Sequence, residues 1–139
     1  VKVDGYELLD GGIADSVPLA YFESIGYDRN VVILTQPAEY RKKQFSGGMQ
    51  KIIRTSLHKK TEIVAQMLSR WERYNDEISW ISEEEKKGNV FVIRPLEPLQ
   101  IGSVCHKPKE LQRVYDIGVA TAEKQLENLK YYLETGTVR

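Results

Sequence analysis

Val90-Phe91-Val92-Ile93 is the feature that most limits how this chain can fold. Four consecutive apolar residues, halted by Pro95, predict a strand buried on both faces, and such strands belong to sheets covered by helices. Helical spacing stands on either side. Ile63, Val64, Met67, Leu68, Trp71, Tyr74, Ile78 and Ile81 recur three and four apart, predicting a helix from about Thr61 that stops before Gly88. Leu111, Tyr115, Gly118, Ala122, Leu126, Leu129 and Leu133 predict the inner stripe of a second helix, opened by Pro108 and ended by Gly136. Gly118 and Ala122, four apart on that stripe, predict the close approach of another element. The 139 residues suit one α/β domain, long enough to bury a sizeable core.

The amino-terminal third carries the candidate chemistry. Val1 to Leu9 predicts a hairpin turning at Asp4-Gly5. Its second apolar arm, Leu8-Leu9, runs into Asp10, Gly11 and Gly12 before a helix start. A carboxylate at the carboxyl edge of a sheet stands where α/β proteins build their sites. Gly11 and Gly12 lack a Cβ, so the backbone can turn sharply and be approached closely. On spacing alone, an ordinary Asp-Gly turn explains the same residues equally well. Asp15 or Ser16 is predicted to cap a helix with Pro18 in its first turn. Val17, Ala20, Tyr21 and Ile25 share one face of it, and Gly26 ends it. Val31 to Thr35 predicts a second strand buried on both faces, making strand, helix and strand a right-handed parallel crossover. Gln36 to Gly48 is a loop, and Met49, Ile52, Ile53 and Leu57 mark a short helix.

Asp10-Gly11-Gly12-Ile13-Ala14-Asp15-Ser16-Val17-Pro18-Leu19 resembles the Asp-Gly-Gly block of bacterial patatin-like phospholipases. The resemblance continues through Gly26-Tyr27-Asp28, Val31 to Thr35 and Tyr40-Arg41-Lys42-Lys43. It resumes at Arg70 with Tyr74-Asn75, then Gly88 to Pro95, Leu111, Tyr115-Asp116-Ile117-Gly118 and the last helix. It spans nearly the whole chain, but only the carboxyl-terminal part of that family's domain. The resemblance implies the carboxyl-terminal portion of a three-layer α/β/α sandwich with long carboxyl-terminal helices. Residues 1–139 are then part of a single domain. Residues 1–35 form a strand/helix/strand unit carrying the catalytic Asp, and 36–139 a helical region with one further strand and a carboxyl-terminal helix.

The implied activity is hydrolysis of phospholipids or other lipid esters through an acyl-serine intermediate, without cofactor or metal. Asp10 is implied to be the proton acceptor of a Ser-Asp dyad, with Gly11 and Gly12 holding it against the nucleophile. A serine hydroxyl is a weak nucleophile until a neighbouring base accepts its proton. A free Asp titrates near ~3.9, so the site has to favour its protonated form once the proton has moved. The family's Gly-x-Ser-x-Gly elbow does not occur here, and Ser46-Gly47-Gly48 lacks the preceding glycine. The chain is therefore expected to carry the base without its nucleophile and to be inactive alone. The amino-terminal part of the same domain would be its partner.

Composition narrows the other possibilities. Lys plus Arg and Asp plus Glu both number 20, which argues against a general nucleic-acid binder. The single cysteine, Cys105, fits a reducing, cytoplasmic setting. No apolar run approaches the ~18 residues that span a bilayer, and no signal-peptide core is seen. Charge is polarised, however. Residues 41–60 carry Arg41, Lys42, Lys43, Lys51, Arg54, Lys59 and Lys60 with no acid, interleaved with Phe45, Met49, Ile52, Ile53 and Leu57. Such a segment suits peripheral contact with an anionic membrane, or a solvated helix whose apolar side faces the core. His58 and His106 have no metal-ligand spacing, and His106 beside Cys105 in an extended stretch is a poor partner for it. An apolar strand ending in Asp10 and a later one ending in Thr35 resemble the first two motifs of haloacid-dehalogenase-like phosphatases. Gly12 stands where that family needs its second aspartate. A non-enzymatic helical interaction or membrane-surface module would explain the long amphipathic helices, but gives no reason for Asp10-Gly11-Gly12.

Overall fold

A computed structural model describes residues 1–138. The chain is mixed α/β, and it divides into two compact units, each assembled from two stretches of sequence.

The first unit comprises Val1–Pro18 and Arg41–Ser79. It begins with an antiparallel hairpin of β1 (Lys2–Val3) and β2 (Tyr6–Glu7), with Val3 opposite Tyr6. Asp4 and Gly5 both take positive φ, 48° and 83°, the backbone that a tight two-residue hairpin turn requires. The Lys60 ammonium pairs with the Glu7 carboxylate, and this contact lowers the Glu7 pKa. A one-turn 3-10 helix follows at Gly11–Ile13. Helix α2 (Gly47–Ser56) is capped by the Ser46 hydroxyl, which accepts from the Met49 N–H at 3.4 Å. Helix α3 (Thr61–Lys87) then supplies this unit with its residues up to Ser79. Its predicted stripe is realised: Val64 and Ile78 are buried, and Met67, Leu68, Trp71 and Tyr74 are half-buried.

The second unit comprises Leu19–Tyr40 and the residues from Trp80 on. It holds α1 (Leu19–Ser24), β3 (Asn30–Ile33), the end of α3, β4 (Val90–Ile93) and α4 (Pro108–Thr135). Strands β3 and β4 pair in parallel, from Asn30 opposite Val90 to Ile33 opposite Ile93. All four residues of β4 are buried, as their run predicts. Phe91, Ile93 and Tyr132 form the core, with Val31 and Leu129 packed on it. The Phe91 and Tyr132 rings lie 5.7 Å apart, and the Tyr132 hydroxyl donates to the Asn89 carbonyl at 2.7 Å. Gly136 ends α4 with a left-handed φ of 74°, its N–H donating to the Tyr132 carbonyl.

Several local expectations are corrected. Strand β2 ends at Glu7 and pairs with β1, not β3, so residues 1–35 contain no parallel crossover. Leu8 extends the hairpin by one pair, its N–H donating to the Val1 carbonyl at 2.7 Å and its carbonyl accepting from the Val1 amino group at 2.9 Å. Strand β3 is not buried on both faces. Val32 and Leu34, on one face, are buried, while Ile33, on the other, is 73% exposed and borders an open cavity. In the six-residue α1, Leu19 is the buried side chain; Tyr21 on it, and Ile25 just past its end, face solvent. The α4 stripe is largely open: Leu111, Tyr115, Leu126 and Leu133 are exposed, and a Cβ on Gly118 would meet nothing within 4 Å. Length explains this. A 28-residue helix spans ~42 Å and a four-residue strand ~13 Å, so β4 can cover only part of the stripe. Where close packing is expected, an apolar cavity of about 460 Å³ lies instead, lined by residues such as Ile33, Ile93, Tyr115, Gly118 and Ala122. No helix among the described residues is long and apolar enough to cross a membrane.

Candidate functional site

The Asp10 turn is built from the bottom up by hydrogen bonds. Asp10 is extended, and its Oδ1 accepts from the Gly12 N–H at 2.8 Å, which starts the 3-10 turn. The Ile13 N–H returns to the Asp10 carbonyl at 3.1 Å. The N–H groups of Ala14 and Asp15 both reach the Gly11 carbonyl at 2.9 Å. Ser16 does not cap α1; its hydroxyl donates to the Gly12 carbonyl at 2.9 Å. Neither Gly11 nor Gly12 uses a positive φ. Their difference is one of space. A Cβ on Gly11 would meet nothing within 4 Å, whereas one on Gly12 would lie 3.3 Å from Asp10 Oδ1 and 3.4 Å from Arg70 Nη2.

Two arginines one helical turn apart on α3 brace this turn. Arg70 Nε donates to the Gly12 carbonyl at 2.6 Å. Arg73 Nη2 donates to the Ile13 carbonyl at 2.7 Å, and its Nε to the Ala14 carbonyl at 3.3 Å. Guanidinium groups suit this task because several N–H donors are held in one rigid plane. Asn75 performs a similar task on the following loop. Its Oδ1 accepts from the Lys42 N–H at 2.8 Å and its Nδ2 donates to the Lys42 carbonyl at 3.1 Å. Glu77 lies further along α3, and burial, then the Asp15 charge, raises its pKa. The backbone N–H groups of Val17 and Ser16, and the Arg73 charge, oppose that rise.

Asp10 itself is exposed, and its second carboxylate oxygen has no hydrogen bond among the described residues. Beside it lies an open groove of about 350 Å³ lined by Leu8, Leu9, Gly11, Ile13 and Ile63. Leu8 and Leu9 are 49% and 58% exposed, so the carboxylate stands at the rim of an uncovered apolar strip. A carboxylate with one oxygen tethered and one open can accept a proton from a group brought to hydrogen-bond distance.

The sequence brings Asp10, Gly11 and Gly12 to attention but assigns no role to Arg70, Arg73, Asn75 or Glu77. A signal exists: Arg70, Arg73 and Glu77 recur at helical spacing beside the half-buried Trp71 and Tyr74. His58 and His106 are exposed, and the His58 Nδ1 lies 3.1 Å from the Thr55 carbonyl. Among the described residues no three His, Cys, Asp or Glu side chains are grouped to hold a metal ion. A family model described as Domain of unknown function (DUF6363) matches residues 60–134. No curated protein and no solved structure matches the chain. The matched segment contains both arginines and Asn75 but begins after Asp10.

Proposed function

We propose that this chain, which belongs to the DUF6363 family of unknown function, is the carboxyl-terminal part of a patatin-like serine acyl hydrolase and supplies its catalytic aspartate. One observation carries the proposal: Asp10 presents a free carboxylate oxygen on a turn whose Gly12, Ile13 and Ala14 carbonyls are held by Arg70 and Arg73. That oxygen takes the serine proton as Oγ attacks the ester carbonyl, then returns it to the departing alcohol. A second cycle with water releases the acyl group. The Gly12 N–H keeps the tethered oxygen in place, so the base is oriented before substrate arrives. The serine comes from residues outside 1–139, in the amino-terminal part of a three-layer α/β/α sandwich. The uncovered Leu8-Leu9 strip supports such a cover.

The test is a comparison in the full-length protein. Asp10→Asn keeps size and removes the base, so hydrolysis of p-nitrophenyl esters should fall by ~10²–10⁴ with the fold intact. Asp15→Asn should lose far less. Equal losses in the two variants, or labelling of a serine within residues 1–139 by a fluorophosphonate probe, would overturn the assignment.

A lipid substrate is also supported by the segment 41–60. Phe45, Met49 and Ile52 are exposed there beside Lys51 and Arg54, while Ile53 alone of α2 is buried. Apolar side chains among cations suit peripheral contact with an anionic bilayer from the cytoplasmic side. Binding to anionic vesicles should weaken with salt and with Ile52→Asp. Equal binding to neutral vesicles would return α2 to an ordinary solvated helix.

A further inference from the structure

We propose that Lys42, Lys43 and Arg70 form a binding site for a phosphoryl anion, a phosphate monoester or diester, with Trp71 and Phe45 as its apolar wall. The three cations line one cavity of about 230 Å³, together with Phe45, Met67 and Trp71, and no carboxylate is among the lining residues. Liquid water occupies roughly 30 Å³ per molecule, so the space suits a phosphoryl group with a small ester substituent.

Each cation has donors to spare. Arg70 commits Nε to the Gly12 carbonyl, and both Nη atoms have no hydrogen bond among the described residues. Two Nη groups in a plane match two phosphoryl oxygens side by side. The Lys42 Nζ lies 4.1 Å from the centre of the Tyr74 ring and forms no ion pair among the described residues, nor does Lys43. The arrangement is built in advance of any ligand. Asn75 clamps the Lys42 backbone on both its N–H and its carbonyl, so this lysine is fixed on α3 rather than trailing in solvent.

Electrostatics points the same way. Burial, then the Arg70 charge, lowers the Lys42 pKa, and Glu77 opposes this only in part. Cations held together in a small cavity repel one another until an anion lies between them. A tetrahedral phosphoryl group carries one or two negative charges and enough oxygens to meet three cations at once, which a single carboxylate does not. The site stands on this geometry whether or not Asp10 is a base, and binding is measured without reference to hydrolysis.

The experiment is calorimetric titration of the chain with inorganic phosphate, with sn-glycerol 3-phosphate, and with phosphatidylcholine vesicles containing phosphatidylglycerol. Saturable binding is expected, weakened about tenfold or more in Lys43→Gln and in Lys42→Gln, since each removes a charged hydrogen-bond donor. Lys59→Gln, an exposed lysine of the same basic segment but outside the cavity, should bind as the parent does. Lys43 is exposed and its side chain makes no hydrogen bond or ion pair among the described residues, so its variant keeps the fold testable. Binding of the soluble probes identifies a free phosphate compound. Vesicle binding alone, with the same ranking of variants, identifies a lipid headgroup. No binding of any probe, or equal weakening by Lys59→Gln and Lys43→Gln, overturns the site.

Discussion

Replacing Arg73 by glutamine removes one brace of the Asp10 turn while leaving the turn's own hydrogen bonds in place. Two of its contacts reach the turn, at 2.7 Å to the Ile13 carbonyl and 3.3 Å to the Ala14 carbonyl; those to Gln66 and Ser69 stay within α3. A hydrogen bond to a charged group nets ~1.5–3 kcal/mol, and the long, exposed bond to Ala14 adds little. Loss of about 2 kcal/mol from local stability follows, roughly thirtyfold in the opening equilibrium. Native-state hydrogen exchange of the Ala14 and Asp15 amides reads this directly, because both are bonded to the Gly11 carbonyl inside the turn. Arg73→Lys, with one reaching donor, should fall between parent and glutamine variant. Glu72→Gln, at an exposed neighbouring position, should leave protection unchanged. Protection in Arg73→Gln within about twofold of the parent would refute the idea that α3 holds the turn.

Gly12→Ala should be less stable than Gly11→Ala in urea titration, since only Gly12 has Asp10 Oδ1 and Arg70 Nη2 in the way; Gly11→Ala should gain about 0.4–1 kcal/mol through the unfolded chain. The reverse order would contradict the crowding at Gly12. For Glu77, a raised carboxyl pKa makes the folded state the better proton binder. That contribution is fully present below the usual value of 4.5 and is lost as pH rises through the folded pKa. Glu77→Gln should therefore be more stable than the parent at neutral pH, with the gap closing on acidification; a gap that widens would show the sign is wrong. Tyr132→Phe should lose about 1 kcal/mol in thermal unfolding, because the Asn89 carbonyl forfeits its 2.7 Å donor, and no loss would mean water replaces it.

Punctuation made the helices legible. Gly88, Pro108 and Gly136 bound α3 and α4 to within a residue of the structure, because a left-handed turn or a missing N–H leaves little choice. The apolar spacing of α3 likewise names the side chains that it buries. Spacing cannot reveal what lies opposite a stripe, and Tyr115 and Leu126 on α4 satisfy it while remaining exposed. Leu8-Leu9 shows the same limit at strand scale: apolar composition suggests a strand running into Asp10, but the hairpin's last hydrogen-bonded pair is Val1 with Leu8. For the site, Asp10-Gly11-Gly12 marks the turn, while its support is invisible locally. Arg70 and Arg73 on a helix surface look like solvated charges until the fold brings carbonyls to them.

Those two arginines also fix an order of events. Fifty-eight residues separate Gly12 from Arg70, and sixty separate Ile13 from Arg73. Closing a loop of that length opposes folding by about 3.6 kcal/mol beyond a constant, an entropy that the local turn cannot offset by itself. During synthesis the Asp10 turn leaves the ribosome well before the helix that braces it. The turn that directs its carboxylate is thus braced only after α3 has formed, and the lasting hold on Asp10 is a late gain of the growing chain.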